Sequence, residues 1–115
     1  MPVMLLTTTG RQSGRERMTP LTYIRDGSRF VVSSENFGQS RPAAWPLNLD
    51  ADPRARVQLG HEEFKCRARR LSESEADHYW PQLVASFPAH ETYRQRSGQR
   101  HTFVIEPEDS SGETA

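Results

Sequence analysis

The chain has 115 residues, enough for one domain around one core. Its 15 basic and 15 acidic residues cancel, which argues against nucleic acid as a partner, and the lone Cys66 excludes an internal disulfide or a thiolate metal cluster. No stretch approaches the roughly 20 apolar residues of a membrane span, and the opening Met-Pro-Val-Met-Leu-Leu has no basic leader, so a cytoplasmic protein without a signal peptide or stable membrane insertion is expected.

The apolar, β-branched run at residues 3–9 reads as a strand that breaks at Gly10 into a polar loop. Residues 17–25 read as the second strand, Asp26-Gly27 as a hairpin turn and residues 29–34 as the third strand. A glycine-containing loop at 35–40 leads to a short helix over 42–50 with Pro42 in its first turn. Alternation over 55–59 and 63–69, with Gly60-His61 between, gives two more strands. Ser72 and Glu75 form a capping box. The helix it opens carries Ala76, Tyr79, Trp80, Leu83 and Val84 on one stripe, and Pro81 inside that stripe predicts a kink or an early break. Residues 88–95 read as a second short helix and 102–106 as the last strand. The Ser, Glu and Gly-rich stretch from Pro107 onward reads as disordered. One domain over 1–107 with a tail at 108–115 is therefore expected. About six short antiparallel strands with helices after the third and fifth place it in the α+β class, and a sheet closed on itself would remove exposed edges.

The functional signal is concentrated in the first loop. It carries Arg11, Ser13, Gly14, Arg15 and Arg17. Glycines let backbone donors approach a ligand closely, and the planar guanidinium fork matches phosphate oxygens. Arginines 11, 15, 17, 25 and 29 face only Glu16 and Asp26 before residue 34, which favours a small anionic ligand near this half of the chain. A solvated hairpin tip is the plainer alternative. Phe87, His90 and Tyr93, at i, i+3 and i+6, put an aromatic face on the second short helix. His61, His78 and His101 fall at no metal-ligand spacing, so no metal is predicted, and no Ser-His-Asp arrangement is legible. Cys66, mid-strand, reads as a small buried residue.

The order Thr-Thr-Gly-Arg-x-Ser-Gly at 8–14, Asn-Phe-Gly at 36–38, Pro-x-x-Trp-x-x-Asn-Leu at 42–49 and Asp-Pro at 52–53 resembles the deazaflavin-dependent nitroreductase family, over residues 3–107. The resemblance implies a split β-barrel shared with FMN-binding oxidases. It also implies hydride transfer from reduced coenzyme F-420 to a small organic acceptor: a quinone, a nitroaromatic or a conjugated enone. In that setting Arg11 and Arg17 would hold the cofactor phosphodiester, with Ser13 and the Gly14 backbone helping. Gln12 stands where relatives often have lysine, which shifts weight to Arg15 or Arg41. The backbone of Thr19, Pro20 and Leu21 would follow the deazaflavin ring, and Ser34, Asn36, Phe37 and Gly38 would cradle the ring and ribityl chain. Trp45 is either core or a wall against cofactor and substrate, while Asn48 ties the helix to a strand.

Phe87, His90 and Tyr93 would form the lid and substrate pocket, with Phe87 and His90 in place of tyrosines and His90 or Tyr93 as proton donor. Glu35 departs from the pattern, because an acid beside an anionic cofactor is unfavourable unless it points away. Relatives generally carry a helical segment ahead of the first strand, and none precedes residue 3 here; a homodimer would supply a missing wall. An FMN-dependent flavin reductase and a non-catalytic cofactor-binding module are the alternatives.

Overall fold

The computed structural model describes residues 2–108. Seven strands, β1 (Val3–Thr9), β2 (Glu16–Thr22), β3 (Ile24–Asp26), β4 (Arg29–Ser34), β5 (Arg54–Leu59), β6 (Glu62–Arg70) and β7 (His101–Pro107), form one sheet of order β2-β1-β5-β6-β7-β4-β3. All pairings are antiparallel. β2 and β3 lie at opposite ends of that order, yet only Tyr23 separates them in the chain. Two residue steps reach about 7 Å, so the two edges must meet and the sheet must curl. No ladder joins these edges among the described residues, and the curl is a barrel left split along one seam. The strand expected at 17–25 is therefore two strands, and the sheet has seven strands rather than six. Tyr23 crosses the seam with its ring edge-on to Phe30, 5.5 Å between centroids.

Period-two alternation sends Met4, Leu6, Phe30, Val32, Val57 and Ile105 into the barrel, where Trp45 and Leu49 of helix α1 (Ala44–Ala51) join them. Val31 and Val104 turn outward beneath helix α2 (Glu73–Ser86), which covers them with Ala76, Tyr79, Trp80 and Leu83. Burial on both faces is why the stretches around Val31 and Val104 read as continuous apolar runs.

Helix α1 starts at Ala44, not Pro42, with Ala43 still extended before it. The capping box forms as expected: Glu75 N–H donates to Ser72 Oγ at 3.2 Å, and Ser72 N–H donates to Glu75 Oε1 at 2.9 Å. Arg69 grips the same carboxylate with two bonds of 3.1 Å, which pulls Glu75 down from 4.5 to about 2. The break expected at Pro81 does not occur, and α2 runs through to Ser86. Pro81 is on the exposed side, so the Asp77 carbonyl that loses its donor can reach water. Helix α3 (Ala89–Ser97) follows Pro88 and ends at Gly98, whose φ of 72° is the left-handed cap that glycine accepts. Pro107, read as part of a disordered stretch, pairs with Cys66 as the last residue of β7, and Glu108, the first residue of the expected tail, donates its N–H to the Lys65 carbonyl at 2.7 Å. The remainder of that tail, residues 109–115, lies outside the described residues.

Phe103→Ala, which empties a fully buried site in the barrel, should cost about 3–5 kcal/mol in urea denaturation, whereas Pro81→Ala should stabilise by about 1–3 kcal/mol. Glu75 is held below its ordinary value, so its contribution is complete above pH 4.5 and is lost as pH falls toward about 2. The melting temperature of Glu75→Gln should accordingly lie below that of the parent protein at neutral pH and converge with it across that window.

Candidate active site

A cavity of about 300 Å³ opens in the seam of the barrel. Thr19, Pro20 and Leu21 of β2 form one wall. Ser33 and Ser34, at the end of β4, and the 3-10 turn Asn36–Gly38 form the other. As an edge strand, β2 leaves half of its backbone groups unpaired by the sheet, and Pro20 is tolerated there because an edge position needs no ladder donor. A second hollow of about 380 Å³ adjoins the first, carries Arg11, Gln12, Ser13 and Arg17, and shares Thr19, Ala44 and Trp45 with it. The two form one slot with an apolar end and a basic end.

The arginine loop differs from the expected cradle of open amides. Gly10 N–H donates to the Arg15 carbonyl at 2.7 Å and Gly14 N–H to the Gly10 carbonyl at 2.8 Å. Arg11 N–H donates to Asn48 Oδ1 at 3.0 Å and Arg15 N–H to Ser13 Oγ at 3.1 Å. These donors are engaged inside the protein. Gly14 lines neither hollow, and its φ of 73° serves the turn itself. The guanidinium groups remain: Arg11, Arg15 and Arg17 have no carboxylate within 4.0 Å among the described residues, whereas Arg54, Arg56, Arg69 and Arg70 are all paired. Asn48, buried, also donates to Thr8 Oγ1 at 3.2 Å and so ties the loop and α1 to β1, as its position suggested.

Two more residues assigned to cofactor binding stand away from the slot. Arg41 is exposed and lines neither hollow, and its carbonyl accepts from Asn36 Nδ2 at 2.7 Å. Gly38 packs behind the turn, where a Cβ would lie 3.2 Å from Arg96 side-chain carbons, and its φ of 84° further favours glycine. Trp45 is both core and wall: its ring lies 5.7 Å from Phe103 and borders both hollows.

The three residues of the expected aromatic face come together, with one change. Phe87 is the residue that ends α2 rather than a member of α3, yet its ring meets His90 at 5.2 Å and Tyr93 at 6.2 Å, and all three line the cavity. Phe37 joins them at 5.7 Å from Tyr93. Asn36 and Phe37 both hold left-handed φ, 46° and 56°, and Phe37 is 72 % exposed. A bulky residue in that conformation is strained, and such strain collects at ligand sites.

The sequence reading missed the partner of His90. Nδ1 of His90 lies 2.6 Å from Glu35 Oε1, and Ser33 Oγ donates to Glu35 Oε2 at 2.6 Å. Thr102 Oγ1 lies 3.1 Å from Ser33 Oγ, across a direct β4–β7 pair. All four residues are buried. Glu35 thus points away from the slot's basic end and into this network. The available signal was an acid and two hydroxyl residues beside apolar strands; pairing them required the register.

A curled antiparallel sheet left open along one seam, with an apolar cavity in that seam and arginines without carboxylate partners in the adjoining hollow, defines a split-barrel protein. The model of the F420H(2)-dependent quinone reductase family matches residues 1–108, and the chain belongs to that family of oxidoreductases. A candidate F420H(2)-dependent quinone reductase of Mycobacterium tuberculosis is 31 % identical over 87 residues, 76 % of this chain and 73 % of that one. A second F420H(2)-dependent quinone reductase of the same species is 32 % identical over 77 residues, 67 % of this chain but 52 % of that one, so the chain spans about half its length. The solved structure of an F420-H2 dependent reductase superposes with a TM-score of 0.82 at 28 % identity, covering 91 % of this chain and 94 % of that one. Another, described as a domain-swapped dimer, gives the same TM-score and identity over 91 % and 80 %. No helix among the described residues is long and apolar enough to cross a membrane.

Asn48→Ala removes the acceptor for Arg11 N–H and the donor to Thr8. It should cost about 1–3 kcal/mol and speed amide exchange at Arg11 selectively, read by hydrogen-exchange NMR.

Proposed function

We propose that the protein reduces a quinone with hydride from reduced coenzyme F-420 bound in the seam. The observation that carries this reading is the adjacency of the apolar cavity and the arginine hollow, which share Thr19, Ala44 and Trp45, in a chain of this family. A planar ring with an anionic side chain fits that slot: ring against Trp45 and Leu21, phosphodiester toward Arg11 and Arg17 with the Ser13 hydroxyl. Bound in its reduced form, the coenzyme supplies the hydride, and the protein supplies orientation and exclusion of water. Backbone groups of Thr19, Pro20 and Leu21 read the polar edge of the ring. Ser34, Asn36 and Phe37 close its other side. Phe87, His90 and Tyr93 cover the acceptor, and His90 or Tyr93 supplies the proton that the reduced acceptor takes up. Nitroaromatics and conjugated enones fit the same apolar space as secondary acceptors. A second copy of the chain would cover the open mouth, a reading supported by the solved neighbour described as a domain-swapped dimer. FMN remains the alternative cofactor, and its terminal dianionic phosphate would need the same arginines.

Titration of the purified protein with oxidised coenzyme F-420 and, in parallel, with FMN separates the two by cofactor fluorescence. Selective binding of the deazaflavin is expected. Arg11→Ala combined with Arg17→Ala should weaken that binding at least tenfold with an unchanged circular dichroism spectrum. Unchanged affinity would rule out the loop as the anion site, and a preference for FMN would overturn the choice of cofactor.

A further inference from the structure

Two groups at the cavity, His90 and Tyr93, carry a transferable proton toward the acceptor side. Only one of them is built into a buried network. His90 is 4 % exposed and Glu35 2 %, and each oxygen of the Glu35 carboxylate makes one bond of 2.6 Å, to His90 Nδ1 and from Ser33 Oγ. Thr102 backs Ser33 from the neighbouring strand. A carboxylate in this position is costly to bury unless its partners are fixed, and these partners hold it from two elements, β4 and α3. Nδ1 is thereby committed to Glu35, and no described residue bonds Nε2, although His90 lines the cavity.

We infer that Glu35 is a positioning residue that fixes His90 with Nδ1–H toward its carboxylate and presents Nε2 to the acceptor, making His90 rather than Tyr93 the proton donor. The inference rests on the proposed reduction and deepens it. A quinone that accepts hydride becomes a hydroquinonate anion. The His90 Nε2–H bond then breaks as the acceptor's O–H bond forms, leaving hydroquinone and a neutral imidazole that solvent reprotonates. Nδ1–H remains with Glu35 throughout, which keeps the ring in one orientation as Nε2 gives up its proton. The other groups that face His90 are few. Tyr93 shares the cavity, and Arg94 and Arg100 stack on Trp80, whose ring is 5.9 Å from that of His90 and whose indole N–H is taken by Glu91.

Imidazole-nitrogen NMR of the unliganded protein reads the pairing without turnover. The expected neutral form has Nδ1 protonated, with a downfield N–H signal that moves upfield in Glu35→Gln. Kinetics with a soluble quinone read the proton. Turnover should fall as pH rises past the ionisation of the donor. His90→Gln should lose that limb together with at least 100-fold in kcat, and Glu35→Gln should lower kcat about tenfold with KM retained. Tyr93→Phe should keep the limb. A neutral His90 protonated at Nε2, or a limb that survives His90→Gln and vanishes in Tyr93→Phe, would overturn the assignment. If coenzyme F-420 fails to bind the parent protein, the proposed reduction falls and the donor role with it, whatever the NMR shows of the pair.

Discussion

The passage of the chain from one sheet edge to the other through Tyr23 alone governs the rest of the molecule. β2 and β3 are the two ends of a seven-stranded order, and a single intervening residue forces those ends together. The curl that results encloses Leu6, Phe30, Val57 and Ile105, and it leaves a seam where two strand edges face each other without a shared ladder. Unpaired edges are normally a hazard in an antiparallel sheet. Here the β2 edge and the end of β4 beyond its β3 partner border the cavity, and in the proposed function a flat heterocycle uses the backbone groups that no strand satisfies. Fold and site follow from the same constraint.

The polar groups around that seam divide into two kinds by what surrounds them. At the basic end, the loop satisfies its own amides, and Asn48 anchors it from below. The loop's amides are thus taken up within the protein, and in the proposed function recognition falls to the guanidinium groups of Arg11 and Arg17. At the other end, Glu35, His90, Ser33 and Thr102 are buried and hydrogen-bonded to one another, with only His90 Nε2 outside the network. Low dielectric strengthens such a network and makes any vacancy in it expensive. Charge at the basic end is free to meet a ligand, whereas charge near the acceptor is already committed, with one ring nitrogen left over.

Much of this was legible in the sequence because the signals were local. Strand alternation, the Asp26-Gly27 turn, the Ser72–Glu75 box and the aromatic spacing of His90 and Tyr93 each depend on neighbours a few residues apart. The errors are equally physical. Pro81 was read as a breaker, but its exposed position lets water take the orphaned carbonyl. Residues 17–25 carry no turn residue at Tyr23, since the change there is a switch of sheet edge and not a reversal. Gly14 looked like an open anion donor because sequence does not reveal that Gly10 accepts its N–H. That Arg41 lines neither hollow is likewise invisible locally, because it depends on the path of the chain after the Asn36–Gly38 turn.

Glu35 is the most instructive residue of these, since sequence alone made it an obstacle. Beside an anionic cofactor a carboxylate repels, and it would do so if it faced the slot. The β4–β7 register sets Ser33 opposite Thr102, and α3 folds back over the Asn36–Gly38 turn to bring His90 alongside. This buried acid, held at both oxygens, lines the apolar cavity and not the arginine hollow. What sequence registers as a charge in the wrong place is, once the register is known, the buried hydrogen-bond partner of a histidine that lines the cavity. The strained Asn36 and Phe37 backbone, immediately after Glu35, fits the same account: the chain turns sharply there so that Glu35 points inward while Phe37 faces out over the cavity.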